Sequence, residues 1–199
     1  MGDMGLSASK YGFAAKTFRR VAEALESSPE REEILPIVYS CQAWEKMKLG
    51  ERQVSPEFFL ESAELFQKAK EHSSKERTSL LALGNSAFCK ALEAGTKFEA
   101  TGDLMLYSTA KQNMESSADH YLKAGFEKAA IWVNASEALL DAYVYMNKAE
   151  TEVAHEKKVQ FYQLAEKYLE RSLQLFGKAG YKGKKDEVSK ILSKVQEKR

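Results

Sequence analysis

Apolar residues recur along this chain at the 3.6-residue spacing of helices. Between about 155 and 178, Phe161, Leu164, Ala165, Tyr168, Leu175 and Phe176 fall on one face, and Tyr162, Leu169 and Leu173 widen it. Phe58, Phe59, Leu65, Phe66 and Ala69 make a second such stripe. Stripes this wide suit helices packed between two neighbours. The pattern predicts an all-α chain with eight helices, at about 9–25, 29–49, 56–71, 76–98, 103–124, 127–147, 155–178 and 184–199. Ser28-Pro29 and Ser55-Pro56 read as cap-then-proline starts. Ser73 and Glu76 have capping-box spacing, and Asp103 is placed to cap the fifth helix. Gly50, Gly125 and Gly180 read as stops. Pro36 is expected to kink the second helix or delay its start. Connections of about two to six residues make consecutive helices antiparallel neighbours.

At four places spaced near fifty residues apart an alanine precedes an aromatic ring by three residues: Ala15/Phe18, Ala63/Phe66, Ala118/Tyr121 and Ala165/Tyr168. A period near fifty residues marks stacked helical pairs. Within that array, Leu80-Leu-Ala-Leu83-Gly84-Asn85-Ser86-Ala87-Phe88 resembles the first helix of a tetratricopeptide repeat. Ser117, Tyr121 and Ala124 match the small–aromatic–alanine pattern of that family's second helix, as do Ser62, Phe66 and Ala69. Ala14, Phe18 and Val21, and Leu164, Tyr168 and Arg171, are looser copies. The family period is 34. The longer period here, and the junction from Tyr121 to Ala130, are similar to the long-helix, α-SNAP-like branch of the superfamily.

The resemblance covers about residues 10–198. It implies a tetratricopeptide-like right-handed superhelix over residues 9–199, with 1–8 expected to be a disordered or added N-terminal segment. It also implies that first helices line a concave face that takes an extended peptide. In that register Asn85 falls where relatives hold a partner's carboxylate or backbone. Asn134 falls at the same place one repeat later, and Cys41 and Lys190 at flanking places. Asn85, Asn134 and Lys190 are therefore the candidate partner-binding residues. The competing reading is an amide satisfied by a neighbouring helix or water. Trp132, aligned with Leu83, is expected to plug the space between adjacent pairs.

Composition narrows the partner class. The 199 residues carry 30 Lys plus Arg against 29 Asp plus Glu, so no whole-chain field points to nucleic acid or an anionic membrane. Cys41 and Cys89 make no disulfide framework, and a reducing, cytoplasmic setting is expected. No eighteen-residue apolar window reads as a membrane span, and the N-terminus does not read as a leader. Asn134-Ala135-Ser136 matches a glycosylation acceptor but falls inside a predicted helix.

Chemistry-bearing motifs are sparse. Glu152-Val-Ala-His155 has the spacing used by di-iron helical bundles, but His72 and His120 follow Ala69 and Ser117 and supply no second copy. Gly177, Gly180 and Gly183 beside Lys184 and Lys185 lack the spacing and preceding strand of a phosphate loop. No nucleophile–base set stands out, so no enzyme activity and no cofactor are expected. The leading expectation is a non-enzymatic adaptor that binds a protein or peptide on its concave face. Two alternatives stand beside it. One is a closed helical bundle binding a metal or small molecule. The other is a nucleic-acid binder using the basic C-terminal helix, where residues 182–199 hold seven basic and three acidic side chains. A solvated terminal cap is the favoured reading of that helix, since it lacks interleaved aromatics beyond Tyr181, and nucleic acid is the weaker partner.

Overall fold

The computed structural model describes residues 2–26 and 28–198. Among them are eight helices and no strand: α1 (Gly2–Ala24), α2 (Pro29–Gln53), α3 (Pro56–Glu71), α4 (Glu76–Thr101), α5 (Leu104–Lys123), α6 (Glu127–Thr151), α7 (His155–Ala179) and α8 (Lys182–Glu197). Each helix packs on its neighbours in sequence, and α4 also touches α6. One core is built from α2–α5 and one face of α6; a second is built from α6, α7 and α8. No helix is long and apolar enough to cross a membrane among the described residues.

Several local signals act as expected. Ser55 Oγ accepts from Phe58 N–H, and Asp103 Oδ1 accepts from Met105 N–H at 2.8 Å. Gly125 and Gly180 take φ of 76° and 85°, the left-handed region that glycine enters without strain. Behind them, Phe126 N–H reaches Tyr121 O and Tyr181 N–H reaches Phe176 O, closing the same aromatic-flanked helix end twice.

Other signals act differently. α1 begins at Gly2, ahead of the expected Ser9, and the expectation for Met1 lies outside the described residues. Ser28 makes no side-chain cap bond, and α2 runs unbroken through Pro36. The Ser73/Glu76 box does not form: Ser73 Oγ donates instead to Lys75 O, and Lys75 is the residue preceding α4. Gly50 does not stop α2, which continues to Gln53 and ends at Val54 with φ 53°. A β-branched residue there costs about 1–2 kcal/mol relative to the right-handed region. Gly50 is a contact residue, because a Cβ on it would lie 2.9 Å from the Phe59 ring.

The helices are joined by a repeated polar bond. Ser62 Oγ donates to Ala43 O, Ser86 Oγ to Ala63 O, Ser117 Oγ to Gly84 O and Ser172 Oγ to Ala135 O, all at 2.8–2.9 Å. All four serines are fully buried. These bonds span α2/α3, α3/α4, α4/α5 and α6/α7. Every acceptor is alanine or glycine, since only a small residue lets a neighbouring helix come that close. Cys89 sits beside one bond, 3.2 Å from Ser62 Oγ. The Ser62 proton is committed to Ala43, so the thiol is the donor there.

The clamps give the repeat a sharper register. Ser62, Ser117 and Ser172 recur every 55 residues, each followed by a buried aromatic four later (Phe66, Tyr121, Phe176) and a buried alanine seven later (Ala69, Ala124, Ala179). The copy in α7 is thus Ser172–Phe176–Ala179, not Leu164–Tyr168–Arg171. The four alanines of the alanine–aromatic pairs are all buried, but Phe18 is exposed and Tyr168 is half-buried. In α1 a seam of Ala8, Ala15 and Ala22 faces inward instead.

Glycine substitutions separate contact from conformation. Gly50→Ala is expected to lower stability by about 1–3 kcal/mol, because the buried Phe59 ring has no room to retreat. At Gly95 a Cβ meets nothing closer than Leu140 Cδ1 at 3.8 Å. Gly95→Ala is expected to raise stability by about 0.5–1 kcal/mol through helix propensity. Urea melts of both variants check the opposite signs.

Candidate functional site

Side chains of α4, α6 and the start of α8 come together. Phe88 of α4, Trp132 of α6 and Tyr181 before α8 form a chain of rings, with centroids 4.3 and 5.6 Å apart. Trp132 packs against both cores. About three helical turns further along lie Glu99 on α4 and Tyr143 on α6, with Lys184 and Glu187 of α8 beside them. Burial, followed by the charges of Glu99 and Glu187, pushes the Tyr143 phenol up to about 12. Lost hydration raises the Glu99 carboxyl; Lys184 opposes this and Glu187 adds to it. Glu99 is nevertheless open to solvent. Lys184 is paired with Glu187 at 2.8 Å. A shallow recess lined by Val54, Pro56, Thr96, Lys97, Glu99, Ala100 and Thr101 extends this surface toward the α2/α3 turn. Rings and charges thus follow one another along the same stripes of α4 and α6, an arrangement suited to holding a partner's side chains.

A second polar group lies between α5 and α6. Tyr107 O–H donates to Asp141 Oδ1 at 2.6 Å, and Lys111 Nζ lies 3.1 Å from Asp141 and 3.0 Å from Glu137. Asp141 is only 6% exposed. Burial, then the bond to Asp141 and its charge, push Tyr107 up to about 12. Burial works against the Lys111 charge, but bonds to Glu137 and Asp141 outweigh it and hold the ammonium above its usual value. Tyr107 and Lys111 therefore both keep their protons at neutral pH.

The three residues picked from sequence do not share one wall. Asn85 is buried, and its Oδ1 accepts from Tyr121 O–H at 2.6 Å, so the amide braces α4 against α5. Asn134 is half-buried and follows Trp132 by two positions, about 200° around the helix. It therefore shares a stripe with Asp141, on the side of α6 away from Trp132 and Tyr143. The clamps match Gly84 with Ala135, so Asn85 corresponds to Ser136, not to Asn134. Lys190 is exposed, two positions beyond the buried Val188. Cys41 is half-buried, and burial raises its thiol.

The competing motifs find ordinary places. Glu152 Oε1 accepts from Val153 and Ala154 N–H, and His155 opens α7. No group of three His, Cys, Asp or Glu residues among those described could hold a metal ion. Of the basic residues in α8 and its C-terminal flank, Lys184 and Lys198 are paired with Glu187 and Glu150. Glu99, Tyr143, Tyr107, Lys111 and Asp141 were not picked out from sequence. One signal pointed to the first two: Glu99 follows Phe88, and Tyr143 follows Trp132, by the same eleven residues.

Trp132→Ala is expected to cost about 3 kcal/mol in denaturant melts, the lower end for losing a core indole, because two cores lose a shared ring. Trp132 Nε1 is buried with no partner. Trp132→Phe is thus expected to cost less than about 1 kcal/mol, since it also removes an unsatisfied donor. Stability should also fall on the alkaline side. Burial holds Cys89 up to about 12, from an ordinary 9.0, and Tyr107 and Tyr143 up to about 12, from 10.0. Protonated forms are favoured in the folded state, so their stabilisation is complete below about pH 9 and is lost as pH rises to about 12. Thermal melts from pH 7 to 12 should show a steady fall above pH 9, shallower in Cys89→Ala. Compared with known proteins, the chain matches no family model, no curated protein and no solved structure.

Proposed function

We propose that the helical pairs stack as a tetratricopeptide-like right-handed superhelix, and that the protein is a non-enzymatic adaptor of the cytoplasm. Its partner is a protein or peptide held along the wall where α4, α6 and α8 meet. The observation that carries this reading is the grouping of Glu99, Tyr143, Lys184 and Glu187, side chains from three helices, on the same stripes of α4 and α6 as the Phe88–Trp132–Tyr181 rings and about three turns from them. Such a wall offers flat apolar faces for packing and opposite charges for orientation, the ingredients of peptide recognition. Lys190 adds an exposed cation on α8, and of the three residues picked from sequence it alone is exposed. Asn85 is already engaged by Tyr121 and serves the scaffold.

Capture from native lysate tests the reading. The parent chain should retain a protein partner. Glu99→Lys combined with Glu187→Lys should weaken retention at least tenfold, with the melting temperature within a few degrees of the parent. Retention unaffected by the reversed charges, or a partner found to be RNA, would overturn it.

A further inference from the structure

Three of the four serine clamps lie within α2–α5 and the fourth joins α6 to α7. The α5/α6 seam between them has none. α5 and α6 also touch less than the clamped helices do. Their polar link is Lys111 set between Glu137 and Asp141, with Tyr107 O–H on Asp141. The second core needs nothing beyond this seam, since its buried residues all come from α6, α7 and α8. The chain crosses the seam at Gly125, whose φ of 76° leaves that turn unstrained.

We propose that the α5/α6 seam is a hinge. α1–α5 and α6–α8 move as two blocks about the Gly125–Phe126 turn, and the Tyr107–Asp141–Lys111 group is the latch that holds them closed. Charged groups suit this place. Ionic groups regain water when they part, whereas a clamp serine leaves a buried hydroxyl without its acceptor. The apolar surface uncovered on opening belongs to the α6 side chains that enter the first core: Ala130 and Val133 near the pivot, and Leu140 and Val144 further from it. Trp132, near the pivot, stays packed on Tyr181 and slides on Phe88.

Thiol labelling of the full chain tests this, with Cys41→Ser removing the half-buried native thiol. Cys89, fully buried beside the α2/α3 clamp, serves as internal reference. Val144→Cys places a thiol on the seam side of α6, and in a separate chain Ala142→Cys places one on the side facing the second core. The thiol at 144 should react with a maleimide at least tenfold faster than Cys89, while that at 142 stays as slow as Cys89. Tyr107→Phe should speed labelling at 144 threefold or more and leave Cys89 unchanged. Lys111→Gln should do so more strongly if it folds; Tyr107→Phe alone decides the matter if it does not. Equal rates at 144 and Cys89, equal rates at 142 and 144, or a latch change that speeds every thiol alike would each overturn the hinge. The first and last would mean that only global unfolding exposes these sites, and the second that α6 frays.

Discussion

Close approach of helix backbones is the constraint on which the rest of this structure depends. A serine hydroxyl is short, and to reach a carbonyl inside the next helix the two backbones must nearly touch. That is possible only where the acceptor carries no more than a methyl group, and Ala43, Ala63, Gly84 and Ala135 meet the requirement. Each bond is worth about 1 kcal/mol net, but its loss would strand a buried polar group at greater cost. The clamps therefore act less as glue than as register marks. They select one sliding position for each helix pair, and the large rings four residues beyond each serine of α3, α5 and α7 then fall into the core.

At the α5/α6 seam, charge takes the place of a clamp. Lys111, Glu137, Asp141 and Tyr107 fill the α5/α6 seam with groups that satisfy one another yet bind water well when apart. The seam and the candidate binding wall lie on opposite stripes of α6. Asp141 and Asn134 mark one, Trp132 and Tyr143 the other. One helix thus serves the joint on one side and the wall on the other, and its two apolar flanks feed the two cores.

Much of this was legible residue by residue. The eight helices, the Asp103 and Ser55 caps and the Gly125 and Gly180 ends follow from local chemistry that neighbours do not alter. Gly50 and Ser73 were misread because their signals are also local, while their roles are tertiary: one accommodates the Phe59 ring, the other bonds into a turn. The Asn85–Asn134 equivalence failed for a related reason. A spacing of 49 fits a period near fifty, but the interval between clamp acceptors Gly84 and Ala135 is 51, and a shift of two turns a helical side chain to the other face. Glu99 and Glu187 are ordinary surface acids in the sequence, and only the convergence of α4 and α8 brings them together.

By itself, then, the sequence determined that the chain is all helical, where its helices other than the start of α1 begin and end to within a few residues, and that small and aromatic residues recur at a long interval. Those are properties of single helices, set by periodicity, caps and glycine. The tertiary structure decided which small residues are contacts, which copy of the repeat is in register, and which polar groups meet. Those outcomes depend on how far one helix slides and turns against the next, and that is fixed by side chains dozens of residues apart.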